Sequence, residues 1–271
     1  MSTEKPWRVF LGGADLEMAE IGRLARAEGV PVEDKGLPWG ARLSDWQEKI
    51  EAAVARGERA MAIELEDDMP GDWPARQGLA LVDHHGPASA GGLSSLAQAF
   101  ALLGLPPARW TRRLALVDAN DRGHVQSLLA MGASPAEAAQ IRAEDRRAQG
   151  VIAAEEVAGH AALALAEVRE GRLTVVRLPH GRMAAVTDGL ALDPACARLP
   201  RDLAIISPGE FGFFGRGAAV LALAAANPKG WSGGDLPQAG FFGLAGDFDE
   251  TALFRLILSN LDANPSLSTD R

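Results

Sequence analysis

The chain has no tyrosine and a single cysteine, Cys196, in 271 residues. The first absence removes phenol-based acid catalysis. The second leaves no internal disulfide framework and no cysteine-rich zinc site. Basic residues are outnumbered, with 27 Lys and Arg against 36 Asp and Glu and a formal net charge of -9. That balance argues against a protein built to hold long duplex nucleic acid, which needs a basic face. It leaves room for a small anionic substrate, because a local metal ion outweighs a global negative field. No apolar run reaches ~18 residues, so no membrane span and no membrane partner are expected. The opening MSTEKPWRVF holds no apolar signal core, and the expected location is cytoplasmic. A homo-oligomer is left open. Histidine is scarce as well: of five in the chain, two stand side by side, His84 and His85, directly after Asp83.

What the chain has in quantity is apolar residue, 47% of the total, enough for a globular core. Its length suits two domains. In the first half, strand and helix signals alternate. WRVFLGG (7–13), AMAIELED (60–67), GLALVD (78–83) and RLALVDAND (113–121) read as buried strands, and VPVEDKG as a short one. ADLEMAEIGRLARAEG reads as a helix with Asp15 as N-cap and Gly29 as its stop. SDWQEKIEAAVARG opens on a capping-box pattern, Ser44 with Gln47, and LSSLAQAFALLG is helical. Such alternation predicts an α/β fold, an N-terminal mostly parallel sheet with helices on both faces, over residues 1–130. A charged helical connector follows over 131–170, with Ser134, Pro135 and Glu137 forming a helix start. The texture then shifts to short β-like runs with dense glycine and proline, among them MAAVTDGLAL and AAVLALAAA, before a closing helix at DETALFRLILSNL. This reads as a smaller C-terminal α+β domain over 171–271. Trp39, Trp46, Trp73 and Trp110 read as packing anchors. His160 and His180 read as packing or solvated residues, and Cys196 as inert.

Acids cluster where these strands end. Asp15 and Glu17 follow the first. Glu64, Glu66, Asp67 and Asp68 close the second apolar run. Asp83, His84 and His85 close the third, and Asp118 and Asp121 the fourth, with His124 near. In an open parallel sheet the carboxyl ends of the strands line the ligand crevice. So much negative charge at one edge calls for a cation. Mixed carboxylate and imidazole donors suit Mn²⁺, Fe²⁺ or Zn²⁺, with Mg²⁺ where oxygen dominates. Taken singly, each acid is more often a helix cap or a solvated loop residue. The coincidence of four acidic ends shifts the balance.

LVDHHGP (81–87) resembles the signature motif of the DHH phosphoesterase superfamily, which includes RecJ-type nucleases, manganese-dependent inorganic pyrophosphatases and cyclic-dinucleotide or oligonucleotide phosphodiesterases. The resemblance implies an N-terminal domain with a dinuclear centre, usually two Mn²⁺ ions, and a smaller substrate-binding domain, with the active site in the cleft between them. It implies that Asp83 bridges the metals, that His84 is a ligand, and that His85 supports the transition state. The first motif of the family is an aspartate pair spaced by one residue, here Asp15 and Glu17. The pyrophosphatase histidine four positions earlier is Leu11 in this chain, as in RecJ-type members, which also lack it. The acid of the second motif falls on Glu66 or Asp67, and that of the fourth on Asp118 or Asp121. The glycine-rich substrate motif is represented by GWSGGDLPQAGFFG (230–243), where Gly233 and Gly234 would offer backbone N–H groups and Asp235 replaces a histidine. Arg216, between glycines, is a candidate phosphate fork. The basic cluster typical of the pyrophosphatases is missing.

The function expected on this basis is a metal-dependent phosphoesterase acting on a small phosphorylated molecule or short oligonucleotide, with Asp83 and His85 as catalytic residues. The alternative is a non-catalytic binding or assembly protein of the same fold with a degenerate metal site.

Overall fold

The structure, a computed structural model, describes residues 5–85 and 92–261. It falls into two units, residues 1–150 and 151–271. The first unit is built on a four-stranded parallel sheet. Its strands are β1 (Trp7–Phe10), β2 (Val32–Glu33), β3 (Arg59–Ile63) and β4 (Ala80–Val82), in the order β2-β1-β3-β4. Around it lie α1 (Leu16–Ala27), α2 (Gln47–Ala55), α3 (Trp73–Gln77), α4 (Ser95–Leu102), α5 (Arg112–Ala130) and α6 (Pro135–Ala148).

Alternation along the strands shows why the sheet is covered on both faces. Phe10, Ala60 and Ala62 pack with Trp46, Ile50 and Ala53 of the α2 region and with Trp73 of α3. Val9, Met61 and Ile63, one step along, point the other way and are equally buried. On the helical side α1 packs against α4, α5 and α6. Register aligns the strand ends, with Phe10 beside Ala62 and Ile63 beside Val82. The residues just past these positions therefore emerge at one edge.

Several local expectations hold and several do not. Asp15 caps α1, its Oδ1 accepting from Met18 N at 2.8 Å. Ser134 and Glu137 form the capping box of α6. Ser44 does not cap α2; its hydroxyl and N–H are bound by Asp68, and α2 starts after Trp46. The segment RLALVDAND is not a strand but the first half of α5. Thr111 accepts from Leu114 N, and Leu114, Val117, Asp118, Asp121, Val125 and Leu128 recur at helical steps. Two of the positions on that stripe are acids, which hid the 3.6-residue period behind a short apolar run. Trp46 and Trp73 are buried anchors, whereas Trp39 is 86% exposed.

The helical stretch 131–170 divides between the units: α6 lies in the first, and α7 (Ala153–Ala164) in the second. The second unit carries a six-stranded mixed sheet in the order β5-β6-β7-β8-β10-β9. These strands are β5 (Glu167–Arg169), β6 (Leu173–Arg177), β7 (Asp202–Ser207), β8 (Glu210–Arg216), β9 (Trp231–Gly233) and β10 (Ala239–Ala245). One face packs against α9 (Gly217–Ala226) and α10 (Glu250–Leu261), the other against α7 and α8 (Ala184–Leu192). The runs MAAVTDGLAL and AAVLALAAA, expected as β-like, are α8 and α9. Both are alanine-rich, and alanine favours helix over strand. No helix among the described residues is long and apolar enough to cross a membrane.

Candidate metal centre

The first unit gathers Glu17, Glu64, His84, His85 and Asp121 at the carboxyl edge of its sheet. His84 Nε2 lies 2.8 Å from Asp121 Oδ2, 3.2 Å from Glu64 Oε1 and 3.8 Å from Glu17 Oε2. His85 Nδ1 lies 3.8 Å from Glu64 Oε1. Donor atoms of Glu17, His84 and Asp121, and those of Glu64, His84 and His85, form two triads, each within 4.8 Å.

Different elements bring each group in. Glu17 sits in the first turn of α1 and is 2% exposed. Its Oε1 accepts from Leu96 N at 2.7 Å. Glu64 follows β3 in the left-handed region, φ 49°, and accepts from Ser95 Oγ at 2.8 Å. The start of α4 thus fixes both carboxylates. Gly12 permits the approach of the β1 end, since a Cβ there would lie 2.5 Å from the Glu64 carbonyl oxygen. Asp121 comes from α5 just before a break at Gly123 and His124, where the backbone leaves helical geometry.

Burial and like charge set the electrostatics of this group. Burial, then Asp121 and Glu64, push the Glu17 carboxyl up to about 10. Burial also raises Asp15, to about 7, against the opposing Met18 N–H. The close carboxylates of Asp121 and Glu64 push the His84 imidazole up to about 11, against its burial. Glu64 is pulled the other way: burial would raise it, but His84, His85 and Ser95 together lower it. Glu17 Oε2, His84 Nε2 and Asp121 Oδ2 are nevertheless buried with no hydrogen bond of ordinary geometry. Buried polar atoms are nearly always satisfied, and three orphans in one triad point to a cation. Two carboxylate oxygens and an imidazole nitrogen are a donor set that fits Mn²⁺, Fe²⁺ or Zn²⁺.

The other expected ligands stand apart from these triads. Asp83 is half exposed, and its Oδ1 holds His85 N at 2.8 Å and His85 Nδ1 at 3.0 Å. Asp118 is paired with Arg122 on the next turn. Glu66 is exposed and faces Arg42 at 3.4 Å, and exposed Asp67 accepts from Met69 N. The acid of this strand end that joins the group is Glu64, whereas the family resemblance implies Glu66 or Asp67. Its signal in the sequence is position, as the first acid after the buried run. Leu11 is buried, and its carbonyl accepts from Trp46 Nε1 at 3.1 Å.

In the second unit, the Arg216 guanidinium is held by Asp202, with Nε to Oδ2 at 3.0 Å, and by the Leu261 carbonyl at 2.7 Å. Gly233 and Gly234 lie where β9 meets β10, and Gly234 has φ 106°. A Cβ on Gly234 would lie 2.6 Å from Gly240 Cα, so the pair serves close strand approach.

No protein-family model and no curated protein matches the chain. Among solved structures, the DHH domain of a protein assigned to a family of ribosomal proteins superposes with a TM-score of 0.55 and 11% identity. The match covers 95% of this chain and 86% of that one. It shows that the fold is that of a DHH domain, and at this identity it shows the fold alone. Two looser likenesses are RecJ of Thermus thermophilus in complex with Mn²⁺ and a pGpG-specific phosphodiesterase of Vibrio cholerae. RecJ gives a TM-score of 0.48 and 18% identity over 96% of this chain and 52% of that one. The phosphodiesterase gives 0.44 and 12%, over 96% of this chain and 100% of that one. The chain spans about half the length of RecJ, 52%.

Proposed function

We propose that this chain is a divalent-metal-dependent phosphoesterase acting on a small phosphorylated molecule or a short oligonucleotide, with Mn²⁺ as its preferred ion. The observation that carries the reading is the convergence of three buried, unsatisfied donor atoms, from Glu17, His84 and Asp121, on one point. These residues would hold one ion, and Glu64, whose Oε1 lies 3.2 Å from His84 Nε2, would stand beside them as a further oxygen donor. When bound, such ions neutralise phosphoryl oxygens and lower the pKa of water.

The chain's own groups do the rest. Leu96 N and Ser95 Oγ keep Glu17 and Glu64 from swinging away, as outer hydrogen bonds do at metal sites. Asp83 fixes the His85 ring through Nδ1. The far nitrogen is thereby assigned to proton transfer, in the manner of an Asp-oriented imidazole. Asp83 acts here through His85 rather than as a bridge.

The test is an Mn²⁺ titration of chelator-stripped protein, followed by a phosphoester panel of pyrophosphate, nucleoside bisphosphate, cyclic dinucleotide, short RNA and short DNA. Saturable binding, and turnover of one class that fails in Asp121→Asn, supports the proposal. Failure to bind Mn²⁺, Fe²⁺ or Zn²⁺ sinks it. A second reading, a metal-holding protein without turnover, is favoured by the Arg216 guanidinium being engaged by Asp202 and Leu261. It predicts tight binding with no hydrolysis across the whole panel.

A further inference from the structure

Behind the carboxylate–histidine group lies a buried ion pair that gives it no donor atom. Arg142 and Asp145, one turn apart on α6, meet at 2.8 Å with both side chains buried. A buried ion pair is not by itself a gain in stability, because desolvation offsets the attraction. What this pair touches is more telling. Arg142 Nη1 also reaches Asn120 Oδ1 at 3.0 Å and His124 Nδ1 at 3.1 Å. Those two residues bracket Asp121. Asp145 Oδ1 accepts from Leu16 N at 3.1 Å, and Leu16 lies between Asp15 and Glu17.

Backbone strain marks the same place. Among the described residues, three non-glycine residues have φ in the left-handed region: Glu64, His124 and Glu170. Glu170 belongs to the turn between β5 and β6. Glu64 is in the carboxylate group, and His124 is three residues past Asp121, in the break of α5. Such strain persists only where surrounding contacts impose it. At His124, one such contact is Arg142, whose Nη1 lies 3.1 Å from the ring Nδ1.

We propose that the Arg142–Asp145 pair is the positioning device of the metal centre, setting the separation of the Glu17 and Asp121 carboxylates from α6. The proposal rests on the metal-site reading given above. One ion pair grips the segment carrying Glu17 and the segment carrying Asp121, so movement of either is resisted through a single rigid helix. A second network joins the same three helices without touching residues beside these carboxylates. Arg113 pairs with Glu20 of α1 at 3.4 Å and with Glu144 of α6 at 2.7 Å. It is an internal control for plain helix packing.

The test compares Arg142→Lys, Asn120→Ala and Arg113→Ala in the full chain. Mn²⁺ affinity and electron paramagnetic resonance line shape are measured, and thermal unfolding is followed in chelator. Lysine keeps a charge for Asp145 but loses the planar fork. The expected result is an Mn²⁺ affinity about 10- to 100-fold weaker in Arg142→Lys, the range for losing an outer support of a metal ligand. The line shape should change with it, and Asn120→Ala should shift the same way by less. Arg113→Ala should lower the unfolding temperature and leave affinity and line shape as in the parent. Equal affinity in Arg142→Lys and the parent overturns the proposal, and so does an equal loss in Arg113→Ala. If Arg142→Lys does not fold, Asn120→Ala decides alone on the same readouts. Absence of Mn²⁺ binding in the parent defeats the metal-site reading instead, and the two failures are thereby distinguished.

Discussion

The two units treat charge in opposite ways. In the second, buried Asp202 holds Arg216, and exposed Arg177 pairs with Glu250 at 2.7 Å. Its one buried side-chain atom without a hydrogen bond, among the described residues, is Arg169 Nε, on a guanidinium that pairs with Glu167. At the sheet edge of the first, Glu17, Glu64 and Asp121 crowd one imidazole, and three buried atoms go unsatisfied. The first pattern is what stability alone would select. The second is costly to the metal-free chain, and it is the pattern on which the proposed metal site rests. On the proposed function, the contrast separates the residues that would carry chemistry from those that only carry charge.

The strongest way to break this contrast is Glu17→Gln. The glutamine keeps the volume and the acceptor for Leu96 N but removes a charge the metal would need. Mn²⁺ affinity should fall by at least ~100-fold, since a ligand matters at least as much as the outer supports that cost about 10- to 100-fold. In chelator, by contrast, the unfolding temperature should rise, because a carboxyl penalised by burial and by like charge is gone. Calorimetric titration and a thermal scan check the two halves. A fall in both would mean that Glu17 is a structural residue.

The pH dependence sharpens the same contrast. Asp15, Glu17 and His84 are all raised in the folded, metal-free state, to about 7, about 10 and about 11. A raised folded pKa means that the folded form binds the extra protons. Their contribution is complete below the unfolded values near about 4 and about 6.5, and is lost as pH climbs through the folded ones. Glu64 is lowered, so its contribution is lost on the acid side instead. Metal-free protein should therefore lose stability progressively from about pH 4 to about pH 11 in urea melts. Saturating Mn²⁺ should flatten that slope, since binding displaces the same protons. A slope that Mn²⁺ leaves unchanged would place the titrating groups away from the metal.

In the second unit, Arg216→Ala should act on stability alone. It strips the side-chain partner from Asp202, which is buried. The cost should be about 2 kcal/mol, below the ~3–5 of a fully buried broken pair. Arg216 is half exposed, and its backbone N–H stays on Asp202. Urea denaturation measures the loss, and Mn²⁺ affinity should not move. A change in turnover of a phosphoester without a change in stability would instead restore Arg216 to substrate binding.

These expectations depend on how much the sequence discloses. The parallel sheet was legible because β3 and the end of β1 are buried on both faces and β4, an edge strand with Leu81 50% exposed, still reads as a short apolar run. His84 was legible because paired histidines after an aspartate are rare in so histidine-poor a chain. The second unit was legible in kind, but α8 and α9 were masked by short apolar stretches that fit either period. The fourth acid sits on a helix rather than at a strand end. Asp118 and Asp121 share the buried stripe of α5, and one helical turn decides their fates: Asp118 meets Arg122, whereas Asp121 faces His84. The Arg142–Asp145 support was not legible at all, because its partners lie 18 to 129 residues away in sequence.

The smallest predicted effect comes from acids that share a strand end with the centre but not its environment. Glu66 and Asp67 lie two and three residues beyond Glu64. They are exposed, one facing Arg42 across 3.4 Å and the other closing a turn onto Met69 N. Exposed pairs of this kind contribute about 0–1 kcal/mol. Glu66→Gln and Asp67→Asn should each shift stability by no more than ~0.5 kcal/mol, the usual range for surface substitutions. Mn²⁺ affinity should stay within a factor of about two, a margin that corresponds to ~0.4 kcal/mol. Glu64→Gln, made alongside them, removes a charge beside His84 and should weaken binding clearly. Three acids within four residues then give a graded ruler for the edge of the site. If Glu66 or Asp67 weakened Mn²⁺ binding as much as Glu64, the centre would extend further along this strand end than the geometry places it.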